Sequence, residues 1–202
     1  MSAPKPKIFG RNLHVLCRRL LLERRGRYET GLAEIAENWS EPTFLPDTAD
    51  LSEKDAAELH LRFAALLGFC GHNLQIANSQ QRAKDILTSA HRTFLQAGET
   101  LKAAECENYL ALCYWRTGEL NEAAVWVESA LAKTTAVSEV RLYSLVTRSL
   151  ILLSQHRYSE NVSECESLAP LFFRFGNAFL TGSYCTNIGL SFKKARRFDD
   201  AL

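Results

Sequence analysis

Histidines and cysteines are the side chains of this 202-residue chain best suited to act as bases, nucleophiles or metal ligands. His14, His60, His72, His91 and His156 stand far apart, and none forms the HxxxH spacing that sets two imidazoles on one helical face. The six cysteines, Cys17, Cys70, Cys106, Cys113, Cys165 and Cys185, include no CxxC pair. Each falls within an apolar helical pattern, which predicts reduced thiols in a core. No GxSxG, P-loop or GxGxxG run occurs, so nothing assembles a nucleophile with its base or a cradle for phosphate. The expectation is a protein that is not an enzyme and has no catalytic residue, no metal and no cofactor. Glu119 and Glu122, the acids closest to forming a pair, read as helix-end and surface residues.

Composition describes a globular chain. The chain is 47% apolar and 23% charged, enough to bury a core, and its formal charge of +1 gives no overall pull toward nucleic acid or anionic membrane. The charge is uneven: residues 1–27 carry eight lysines and arginines against Glu23, and residues 28–60 carry nine acids against Lys54. Complementarity between neighbouring solvated faces accounts for that better than a nucleic-acid patch. The start MSAPKPKIFG has no apolar stretch behind its basic residues, and no later run reaches the roughly 18 apolar residues of a membrane span. A cytoplasmic location follows, and the sequons at Asn38 and Asn161 then have no role.

The elements that would position any site are helices. In ENYLALCYWRTGELNEAAVWVESAL (107–131), Leu110, Cys113 and Tyr114 precede Gly118, and Ala123, Val127, Ala130 and Leu131 follow it. Steps of three and four residues on both sides predict two amphipathic helices. Gly118 suits the left-handed conformation that ends the first, Asn121 is placed to cap the second, and Glu122 sits where the helix dipole favours an acid. Ala111, Ala123 and Ala130 allow close approach.

Such a hairpin cannot bury its apolar face alone, and copies of it recur. The segment Ala104 to Thr135 resembles a tetratricopeptide repeat: Leu110, Ala111, Tyr114, Gly118, Ala123, Val127 and Ala130 fill the expected slots, with Glu107 in place of Trp and Thr135 in place of Pro. A second copy begins near Leu142, with Ser149 in the small-residue slot and Asn161, Cys165 and Leu168 departing from the usual Ala, Phe and Ala. A third begins near Gly182 with Ile188, Gly189 and Phe192, and Arg197-Phe198-Asp199-Asp200-Ala201 would open its second helix. Upstream, Leu67, Gly68, Ala83, Leu87 and Ala90 repeat the spacing.

The resemblance implies an all-α fold of antiparallel helical hairpins stacked as a right-handed α-solenoid. The organisation read from it is a degenerate hairpin over 1–40, a Pro-containing linker over 41–51, and repeats over about 52–97, 101–135, 139–175 and 178–202, the last truncated. Ser52-Glu53-Lys54-Asp55 reads as a capping box opening the first of these repeats.

What the resemblance implies for function is a concave groove lined by first helices and suited to a peptide or helix of a partner protein. Helical phase places Phe69, His72, Asn108, Leu112, Trp115, Tyr143, Val146 and Leu150 there, with Asn108 able to bond a peptide backbone. A Lys/Asn/Arg clamp for a chaperone carboxylate is not expected, because Val146 and Leu150 stand between Asn108 and Lys193. The alternative is a sensor arm of a larger transcriptional regulator or signalling protein whose output domain lies beyond residue 202. The truncated last repeat also predicts an apolar face at Tyr184, Ile188 and Phe192 left partly uncovered and prone to self-association.

Overall fold

A computed structural model of the chain describes residues 51–71 and 74–196, with Arg27, Thr30, Gly31, Thr48 and Ala49 besides. Most of the hairpin expected over 1–40 and of the linker over 41–51, His72, Asn73 and residues 197–202 lie outside the described residues. Every regular element among the described residues is an α-helix. The chain divides into two compact units, Met1–Glu99 and Thr100–Leu202.

In the first unit, α1 (Glu53–Cys70) packs against α2 (Ser79–Gln96). Ser52 caps α1 as its sequence suggests: Ser52 Oγ accepts from the Asp55 amide at 3.2 Å, and Glu53 and Asp55 place negative charge on the first turn. Leu59, Leu61, Phe63, Leu66 and Leu67 bury α1 on nearly every side, and the buried Arg62 is neutralised by Glu58 one turn earlier at 2.9 Å. In α2, Ala83, Leu87, Ala90 and Phe94 form one buried stripe at three- and four-residue steps. Gly71 closes the corner. A Cβ there would lie 2.3 Å from Ser79 Cβ and 2.5 Å from Leu67 O, so only glycine lets α2 start this close to the end of α1.

The second unit holds α3 (Thr100–Arg116), α4 (Leu120–Lys133), α5 (Glu139–Ser154), α6 (Tyr158–Phe175) and α7 (Ala178–Lys194). Helix α3 packs on α4 and α5, α5 packs also on α4, α6 and α7, and α6 packs on α7. Gly118 takes a φ of +83°, the left-handed turn its position predicts. Asn121 does not cap α4, contrary to its sequence pattern. The helix starts a residue earlier at Leu120, Glu119 occupies the cap position, and Asn121 lies exposed in the first turn. Ser138 caps α5, its Oγ accepting from the Arg141 amide at 3.2 Å. Two apolar clusters, with a smaller one of Ala104, Ala130 and Val140, hold the unit together. Ala111, Ala123, Val127 and Ile151 form one, and Leu131, Leu142, Leu145, Cys165, Phe172, Leu180 and Tyr184 form the other. Each large side chain so buried is worth about 1.5–3 kcal/mol against leaving it in water.

Candidate interaction face

Phase along α5 decides which of its side chains enter the core. Leu142, Leu145, Ser149 and Leu152 turn inward, and Tyr143, Val146, Leu150 and Leu153 on the adjacent stripe are half-buried. Tyr143 rests 5.9 Å from the ring of Tyr109 on α3, and Tyr143 and Val146 both pack against the larger core cluster. Leu150 belongs to neither cluster. The stripe is thus apolar, partly open to solvent, and anchored from behind.

On α3 the expected row divides. Trp115 is half-buried, rests on the Ala111, Ala123, Val127 and Ile151 cluster, and donates from Nε1 to Ser154 Oγ on α5 at 2.8 Å. The Arg116 guanidinium lies 5.9 Å from the Trp115 ring. Leu112 and Asn108 are buried, only 5% and 2% exposed, where helical phase alone placed them on an open surface. Asn108 Oδ1 is buried without a hydrogen-bond partner among the described residues. The second unit therefore brings together Asn108, Leu112, Trp115, Tyr143, Val146 and Leu150 on two packed helices. Phe69, half-buried near the end of α1, belongs to the first unit.

The rest of the expected line is covered. Tyr184 and Phe192 are buried, and only Ile188 of the face expected to be open is half-buried. The Phe172 ring stacks on Tyr184 with centroids 3.9 Å apart, and the Tyr184 hydroxyl donates to Cys165 O. Burial holds that hydroxyl and the Cys165 thiol in their protonated forms. The large exposed apolar side chains of this region are Phe173 and Phe175 on α6 and Leu190 on α7. Of the described cysteines four are buried as expected, and Cys185 is exposed.

Helical periodicity missed the polar groups inside the unit. Asn161 and Cys165, one turn apart in slots that are apolar in α4, are both buried: Asn161 Nδ2 donates to Ser149 O at 3.1 Å and to Ser191 Oγ at 2.7 Å, and Cys165 Sγ donates to Asn161 Oδ1 at 3.4 Å. The sequon asparagine at 161 is thus inaccessible. Glu107 is buried and accepts from Ser129 Oγ and Lys133 Nζ of α4 at 3.0 and 2.8 Å. Arg148 of α5 links Glu128 on α4, at 2.7 Å, to Glu164 on α6. Their signal in the sequence was a polar residue at a slot where the repeat pattern wants a small or apolar one.

No protein-family model matches this chain, and no curated protein does. Among the described residues there is no group of three or more His, Cys, Asp or Glu side chains able to hold a metal ion, and no helix is long and apolar enough to cross a membrane.

Proposed function

We propose that the chain is a cytoplasmic, tetratricopeptide-like interaction module whose hairpins stack as an α-solenoid and whose second unit binds an apolar or amphipathic segment of a partner protein. One observation carries this reading. Tyr143, Val146, Leu150 and Leu153 form a stripe along α5 that is apolar yet only half-buried, beside Trp115 of α3. Apolar surface left in water costs about 25 cal/mol per Å², and a partner segment laid along the stripe removes that cost. The stripe follows i, i+3, i+7, i+10, the spacing that an amphipathic helix or extended peptide meets with its own alternating anchors. The successive packing of α3 on α4, α4 on α5, and α5 on both α6 and α7 supports the stacked-hairpin arrangement.

The test is selection of binders to the wild-type chain from a library of random linear peptides, followed by affinity measurement on Leu150→Asp. Leu150 is the substitution of choice because it belongs to neither core cluster, so stability stays near wild type. An anchor of this kind is worth at least about 2 kcal/mol, or roughly thirtyfold in affinity. Peptides that bind Leu150→Asp as tightly as wild type would refute the assignment of the stripe.

A further inference from the structure

Helix α7 meets α5 and α6 through directional polar contacts as well as apolar ones. Asn161 of α6, fully buried, donates to Ser149 O on α5 and to Ser191 Oγ on α7. Ser191 passes its own hydrogen to Asn187 O at 2.9 Å, and Asn187 Nδ2 donates to Val146 O on α5 at 3.2 Å. Two carboxamides therefore tie the α6–α7 pair to α5 at carbonyls three residues apart on α5.

Apolar contacts are non-directional, and helices joined only by them can slide with little change in buried area. A hydrogen bond cannot. A slip of one residue moves a helix by about 1.5 Å, enough to stretch contacts at 3.1 and 3.2 Å to about 3.4–3.5 Å and turn them out of line, where a hydrogen bond is weak. The carbonyls of Ser149 and Val146 lie within α5 and keep helical partners after a slip. Asn161 would keep Ser191 Oγ, which moves with it, but lose Ser149 O, and Asn187 Nδ2 would lose Val146 O; the penalty for an unsatisfied buried donor exceeds the net gain from a satisfied one. The asymmetry raises wrong registers more than it lowers the right one. In the α3–α4 hairpin the equivalent slot is Ala123, which carries no such constraint.

We propose that Asn161 and Asn187 set the axial register of the α6–α7 hairpin against α5, contributing uniqueness of arrangement more than stability. The inference is independent of the peptide-binding reading, because its readout is a distance within the unliganded chain.

Spin labels placed at Cys185, exposed on α7, and at Val137→Cys, exposed one residue before the cap of α5, report that register. Cys17→Ser removes a competing thiol, and the four other cysteines are buried. The protein with native Asn161 and Asn187 is expected to give one narrow distance. With Asn161→Ala and Asn187→Ala combined, helicity by circular dichroism is retained, and the distribution broadens or acquires a second maximum displaced by up to one turn, about 5.4 Å. One narrow, unshifted distance in the double variant overturns the proposal. Should the double variant lose its helicity, each single variant is read in the same way, and loss of helicity in both singles overturns it as well, since the amides would then be supplying stability.

Discussion

The hairpins α3–α4 and α5–α6 share one spacing and fill it with different chemistry. In α4 the inward slots are Ala123, Val127 and Ala130, small and apolar: Ala123 and Val127 cluster with Ala111 of α3 and Ile151, and Ala130 with Ala104 of α3 and Val140. In α6 the same slots are Asn161, Cys165 and Leu168, and the facing position on α5 is Ser149 in place of Ala111. The second hairpin stays folded because each polar group introduced at those slots finds a partner on a neighbouring helix, as Asn161 does on α5 and on α7. A slot in a repeat thus requires a volume and a satisfied hydrogen-bond inventory rather than one residue type. The departure from the pattern in the second copy is where α7 is gripped.

The comparison can be broken most severely at the aromatic stack. Phe172→Ala removes a fully buried ring from the second cluster and is expected to cost about 3–5 kcal/mol in denaturant unfolding. A loss below about 1 kcal/mol would mean that the α5–α6–α7 region does not rest on that cluster. Next in size is the transplant Ala123→Asn. It puts into the first hairpin the residue that the second tolerates, but the surroundings there are Ala111, Val127 and Ile151, so the amide is buried without partners. About 3 kcal/mol of destabilisation is expected. The reciprocal change, Asn161→Ala, restores the pattern of the first hairpin and should cost only about 1 kcal/mol, because Ser191 Oγ still donates to Asn187 O. Equal losses for the two changes would contradict the account of the slots.

The smallest effect concerns Glu164, the carboxylate that shares Arg148 with Glu128. Burial pushes its carboxyl above the ordinary 4.5, and the attraction of Arg148 opposes this without cancelling it. A raised folded-state value means that the folded chain holds the proton more tightly than the unfolded chain. Glu164 therefore contributes stability below 4.5 that is lost as pH rises through its higher folded-state value. Glu164→Gln should accordingly be neutral or slightly stabilising at pH 7, with the difference from wild type shrinking on acidification below 4.5. Thermal melts of both proteins across that range check the sign.

Much of this architecture was legible in the residues. The all-helical character and the packing of neighbouring helices follow from alternation at three and four residues, and Gly118 and the Ser52 cap are local signals of where helices stop and start. Asn121 misled because an N-cap is set by where the chain enters the helix, and Glu119 already held that place. The proposed interaction face was legible only in part. Phase put Tyr143, Val146 and Leu150 on one stripe, and it is half-buried. Phase could not show that Asn108 and Leu112 would be covered, since covering depends on what packs over a helix and not on its own periodicity. The Asn161 network was illegible for a related reason. Its value depends on three helices meeting at one point, and no local pattern encodes that.

Whether the half-buried stripe of α5 receives a partner segment is tested most directly by titrating the isotope-labelled chain with a library-selected peptide and mapping the backbone amide shifts. The account predicts the largest changes along α5 around Tyr143, Val146 and Leu150, extending to Trp115 on α3, with the rest of the second unit quiet. Changes centred instead on the exposed Phe173 and Phe175 of α6, with α5 unperturbed, would contradict it.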